Sequence, residues 1–148
     1  MFMKSIQSLC LIQSILMKTD LSNATFIIPI RIESDDRLRN VVTSIAFLVE
    51  NFNTNIIVKE VDKESVFQTE VLPIFEEILE VDLWKNFHHI FERSEEPLFH
   101  RQRVLNEMIA ECETDIVVNY DCDVILPMKS YELALSLIHI SEPTRLDG

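Results

Sequence analysis

Asp115-Ile116-Val117-Val118-Asn119-Tyr120 runs straight into Asp121-Cys122-Asp123. A short, β-branched apolar run of this kind reads as a buried strand, and it is the clearest one in the chain. If the backbone stays extended past Tyr120, the Asp121 and Asp123 carboxylates point to one side and Cys122 to the other. Two carboxylates side by side at a strand end repel each other unless a cation sits between or beside them. Hard oxygen donors suit Mg2+ or Mn2+, ions that keep coordination positions for substrate phosphates. The plainer alternative is a solvated turn, where Asp is common.

Upstream, Val104, Leu105, Met108, Ile109 and Cys112 share one face of a helix that ends near Glu113. Before it come a weaker strand at His88 to Phe91 and a helical stretch carrying Phe67, Val71, Ile74, Phe75 and Ile78. Pro73 starts a new helix or kinks that stretch. Asn55-Ile56-Ile57-Val58 is a strand. Leu38, Val41, Val42, Ile45, Leu48 and Val49 line one face of a helix that follows the buried strand Phe26-Ile27-Ile28-Pro29-Ile30. Strand and helix thus alternate four times. The expectation is an α/β, three-layer α/β/α, Rossmann-like fold with a mainly parallel sheet and right-handed crossovers. Ligands of such sheets sit beyond the carboxyl ends of the strands.

At that edge the first strand brings Arg31 and the second brings Glu60. An arginine offers a planar fork to phosphate, and a carboxylate accepts from a base N–H or a ribose hydroxyl. Surface ion pairing is the competing reading for both. Phe99-His100-Arg101-Gln102-Arg103-Val104-Leu105-Asn106 opens the last helix before the aspartates, and Arg103 and Asn106 share a face. Basic side chains at a helix start oppose its dipole. Either they hold an anion at the sheet edge, or they pair with Glu95 or Glu96.

The formal charge of −12, from 25 acidic against 13 basic residues, repels phosphate backbones and anionic lipid, so nucleic acid is not an expected partner. An anionic ligand would need a metal or well-placed arginines. Gly148 is the only glycine, which excludes a Walker loop and a dinucleotide fingerprint. Cys10, Cys112 and Cys122 form no CxxC pair and are too few for a disulfide framework, in keeping with a cytoplasmic setting.

Met1 to Asn23 carries an apolar patch at Leu9 to Met17 that is far shorter than the roughly 20 residues needed to span a bilayer, so no transmembrane segment is expected. It reads as an N-terminal extension, residues 1–23, with Met17 an alternative start. Leu135 to Arg145, LSLIHISEPTR, resembles a translated sequencing adaptor, so residues 135–148 are expected to be a non-native tail. That leaves residues 24–134 as the domain.

FIIPIRIES with DDRLRN, then NIIVKE, FHRQRVLNEMI and TDIVVNYDCDVILP, resembles the nucleotide-binding half of family-two glycosyltransferases with the GT-A fold, most of all the capsule-biosynthesis group. The likeness covers Thr25 to Pro127 in four ordered blocks, which is more specific than a lone DxD. It implies a nucleotide-sugar donor, UDP-linked, with Pro29, Ile30, Arg31 and Glu60 around base and ribose. Arg103 and Asn106 match the family's helix block, and His100 and Arg101 extend it. Asp121 would approach the ribose or sugar and, with Asp123, the divalent metal, Mn2+ or Mg2+. Glu60-Val61-Asp62 departs from the paired aspartates of many relatives. The general base would come from an acceptor half downstream, so the chain is expected to be a truncated, inactive piece of a polysaccharide-building enzyme at the inner face of the membrane. Its parent would transfer sugar to a glycan acceptor.

Two other classes fit parts of the pattern. Haloacid-dehalogenase-like phosphohydrolases also place DxD after an apolar strand, with Asp121 then the nucleophile, but usually on the first strand of the domain. A non-catalytic sugar-nucleotide-binding domain is the third.

Overall fold

The computed structural model describes residues 18–79, 85–123 and 125–141. Strands Thr19–Ile30 (β1), Phe52–Asp62 (β2), Phe87–Arg93 (β3) and Ile116–Asn119 (β4) form one four-stranded sheet in the order β3-β2-β1-β4. Every pairing is parallel. Helix α1 (Asp35–Asn51) joins β1 to β2, and a π-helical turn (Phe67–Val71) leads into α2 (Leu72–Ile78) ahead of β3. Helix α3 (Arg101–Glu111) joins β3 to β4, and α4 (Met128–Ser141) follows.

Strand alternation sorts the core into two layers. Phe26, Ile28, Ile30, Ile56 and Val58 face a large cluster with Val41, Ile45 and Leu48 of α1 and Phe75 of α2. Ile27, Ile57 and Val61 face the other way, against Val104, Leu105 and Met108 of α3. Runs buried on both faces explain why β1 and β2 read as continuous apolar stretches. The fold is α/β, a parallel sheet between helices on both faces, in a three-layer Rossmann-like arrangement.

Local chemistry sets the element ends. Ser34 caps α1, its hydroxyl accepting from the Arg37 N–H at 3.2 Å, and Asp35 and Asp36 in the first turn suit the helix dipole. The Leu72 N–H donates to Phe67 O, closing the π-helical turn, and Pro73 follows with no N–H to give. Pro73 thus marks the start of α2.

One strand starts earlier than the apolar pattern suggests, and one helix crosses position 135. β1 reaches back to Thr19, pairing Thr19, Asp20 and Leu21 with Phe52, Asn53 and Thr54 before a bulge between Leu21 and Thr25. Helix α4 runs through position 135 without a break, and Leu135 is buried in the larger cluster. The Leu9–Met17 patch and the tail from 142 onward lie outside the described residues. No described helix is long and apolar enough to cross a membrane.

Candidate functional site

Because β2 lies on one side of β1 and β4 on the other, the chain's direction of travel across the sheet reverses between β1 and β4. A parallel sheet opens a crevice at such a point. The Asp121-Cys122-Asp123 turn sits there. The Tyr120 N–H donates to Ile27 O at 3.1 Å, carrying the β1 contact past the formal end of β4. The Tyr120 ring packs edge-on against Phe26 at 5.6 Å, and its hydroxyl lies 3.0 Å from that of Tyr131 on α4. Burial, followed by that hydrogen bond, pushes the Tyr120 phenol well above its ordinary range. Tyr131 Oη also accepts the Leu126 N–H at 3.0 Å, so the turn is anchored at both ends.

Past Asn119 the backbone turns instead of continuing as a strand, yet the expected segregation of side chains is present. Asp121 and Asp123 are exposed and Cys122 is buried. Burial first, then the flanking aspartate charges, push the Cys122 thiol up to about 12. Asp121 Oδ1 accepts the Asp123 N–H at 3.3 Å, an Asx-type closure, and Asp123 Oδ1 accepts from Asn40 Nδ2 of α1 at 2.9 Å. Among the described residues, each carboxylate therefore gives one oxygen to a donor and keeps the other. Among the described residues, no three His, Cys, Asp or Glu side chains converge as a metal cage. A cation here would draw two carboxylates from the protein and the rest of its shell from water or ligand, which fits Mg2+ or Mn2+.

Glu60 is at the same edge of the sheet but fully buried. Its Oε1 accepts from the Ser65 hydroxyl at 2.6 Å, and its Oε2 accepts the Val66 and Phe67 N–H groups at 3.0 and 3.1 Å. His89 Nε2 stands 3.4 Å from Oε1, near enough for an ion pair but without hydrogen-bond alignment, and its ring stacks on Phe67 at 4.4 Å. Burial alone would raise the Glu60 pKa, but His89, Ser65 and the Phe67 N–H outweigh it and hold the carboxyl below its usual range. Glu60 thus ties β2 and β3 to the start of the π-helical turn, with both oxygens committed.

The basic candidates divide in the same way. Arg103 meets Glu92 and Glu107 at 2.8 and 2.7 Å, and Glu107 also meets the buried Lys59 at 2.6 Å. Hydrogen bonds to Glu92 and then Glu107 raise the Arg103 pKa further. Arg103 is thereby neutralised by Glu92 and Glu107 and not by Glu95 or Glu96. Arg101 is exposed and reaches β4, where Asn119 Oδ1 accepts from it at 3.3 Å. Arg31 is buried, its Nε donating to Val61 O at 2.7 Å and one terminal nitrogen to Pro97 O at 3.1 Å, with the guanidinium over the Phe99 ring. The other terminal nitrogen finds no hydrogen-bond partner among the described residues. Asn106 accepts from Gln102, His100 is exposed at the cap of α3, and Pro29 and Ile30 are buried in β1.

At the end of β4, Asn40 of α1 thus meets Asp123 and Arg101 of α3 meets Asn119, as two separate contacts from helices on opposite faces of the sheet, while Glu60 and Arg103 belong to other polar clusters, also on opposite faces. A concavity of about 750 Å³ lies at the other end of the strands, beside β3, lined by Asn55, His88, Glu111 and Thr114 among others, away from the paired aspartates. Sequence reasoning missed Asn40 and Asn119. It also missed Glu107, although Arg103 and Glu107 have the i,i+4 spacing of a helical ion pair. Comparison with known proteins yields no match to a family model, a curated protein or a solved structure.

Proposed function

We propose that this chain binds a nucleoside-diphosphate sugar, of the uridine type, through Mg2+ or Mn2+ at Asp121 and Asp123, as the donor-binding part of a glycosyltransferase acting on a hydroxyl-bearing glycan acceptor. The observation that carries this reading is a pair of exposed carboxylates, each with one oxygen unspent, in the turn where the sheet reverses direction. Two exposed carboxylates side by side repel an unneutralised diphosphate, so a cation bridging them to the ligand is part of this reading. Arg101, bonded to Asn119 at the end of β4, would supply a guanidinium for the diphosphate. When bound, the metal would offset the charge that builds on the departing diphosphate. The motif follows the fourth strand, at a sheet edge, which favours this reading over a phosphohydrolase whose paired aspartates follow the first strand.

The test is a thermal shift titration with uridine diphosphate, with and without Mn2+. Stabilisation is expected only with the metal present. Equal stabilisation by the nucleotide in a chelator would overturn the reading.

A further inference from the structure

The bond from Asn40 to Asp123 spans 83 residues of sequence and is the one side-chain hydrogen bond described between α1 and the aspartate turn. We propose that Asn40 is a positioning residue for cation binding: it fixes the rotation of the Asp123 carboxylate so that the unspent oxygen faces the ion. The inference rests on the reading of Asp121 and Asp123 as metal ligands.

Three features support it. A carboxylate can only accept, so the contact at 2.9 Å presents the amide nitrogen of Asn40 and fixes which way its side chain faces. Asp123 is exposed, so packing does little to restrict its rotation and a hydrogen bond is what must do so. Asn40 itself stands on a rigid base, since the adjoining Val41 and Ser44 are buried and the Ser44 hydroxyl donates to Asn40 O at 2.6 Å. The chemistry of position 40 also suits the task. A neutral amide orients the carboxylate and leaves its charge intact, whereas lysine or arginine there would compete with the cation for that charge. Partners that orient metal ligands in this manner typically change metal affinity by about 10–100-fold.

The experiment is a titration of the full chain with Mn2+ alone, read from the loss of the free-ion paramagnetic resonance signal. Asn40→Ala is expected to weaken Mn2+ binding by about 10-fold, and Asn40→Gln, which keeps an amide donor, to recover most of that loss. The metal-free unfolding midpoint of Asn40→Ala should stay at the wild-type value, because the side chain is exposed. Unchanged Mn2+ affinity in Asn40→Ala, with affinity lost in Asp123→Asn, would overturn the positioning role and leave the ligand reading standing. A loss of affinity accompanied by a lowered metal-free midpoint would also overturn it, since a structural role would explain both. Failure of the unaltered chain to take up Mn2+ would remove both readings together.

Discussion

Glu60 and the Asp121/Asp123 pair lie at the carboxyl ends of strands on either side of β1, and their carboxylates meet opposite conditions. Glu60 is out of contact with solvent, with donors from Ser65, Val66 and Phe67 on its oxygens and His89 alongside. Asp121 and Asp123 are open to water, with one protein donor each. A buried charge is tolerable only when it is satisfied within the protein, and Glu60, with three donors on its oxygens and no exposed surface, is closed to a ligand. An exposed carboxylate with a spare oxygen has capacity for a cation but contributes little to the fold. Position at the functional edge of a sheet is thus not enough to make a residue functional; what decides is how much of its bonding capacity the protein has already consumed.

The strongest way to break this contrast is to remove the buried carboxylate. Glu60→Ala would leave the Val66 and Phe67 N–H groups and the Ser65 hydroxyl without their acceptor, and a cavity at the junction of β2, β3 and the π-helical turn. It should destabilise the protein by about 3 kcal/mol, measured by urea unfolding, and reduce nucleotide binding only in proportion to the unfolded fraction. A Glu60→Ala chain of wild-type stability that no longer bound nucleotide would invert the assignment.

Asp123→Asn should do the opposite. Size and hydrogen bonding are kept while the charge a hard cation requires is lost. Metal-dependent nucleotide affinity should fall by roughly 100-fold or more, given that even outer partners of metal ligands cost about 10–100-fold. The metal-free unfolding midpoint should scarcely move. A calorimetric titration with uridine diphosphate and Mn2+ that gave the wild-type affinity would sink the metal role.

Acid sharpens the same contrast by a smaller amount. The Glu60 pKa is lowered on folding, so its contribution to stability is complete above the unfolded carboxyl value near 4.5 and is lost as pH falls through the lower folded value. Hydrogen bonds from Arg103 to Glu92, and from Lys59 and then Arg103 to Glu107, depress those pKa values too and give stability the same sign of dependence. Unfolding midpoints measured downward from pH 6 should therefore decline most steeply below about 4.5, and Glu60→Gln should flatten part of that slope. An unaltered slope in Glu60→Gln would show that folding does not lower the Glu60 pKa.

How much of this could be read from sequence depended on the range of the interactions. The strands and α1 were legible because the faces of Phe26–Ile30 and the spacing of Val41, Ile45 and Leu48 are local patterns. The paired aspartates were legible as a strand end for the same reason. The partners of Glu60 were not: His89 reaches it through the register of β3 against β2, which pairs Val58 with His89, and the N–H donors come from a π-helical turn that no periodicity announces. Asn40 was invisible as a partner of Asp123 because the contact depends on how α1 crosses the β4 turn. The partner of Arg103 was legible in principle, since Glu107 stands one helical turn away at i,i+4 spacing.

The smallest expected effect falls on Cys122, between the two aspartates. Its side chain is buried among the larger apolar cluster while its neighbours face solvent, and its thiol is pushed up to about 12, so it stays protonated and inert near neutral pH. Cys122→Ser keeps the volume nearly constant and places a hydroxyl where the site is apolar. That should cost about 1–2 kcal/mol of stability and leave Mn2+ and nucleotide affinity within about 2-fold of wild type, because the Asn40 and Asp121 contacts that orient Asp123 do not pass through the thiol. The measurement is a pair of titrations, urea on the metal-free chain and nucleotide in the presence of Mn2+. Should Cys122→Ser abolish binding while Asp123→Asn retained it, the division of the turn into an inward thiol and outward carboxylates would be wrong, and with it the metal role assigned to Asp123.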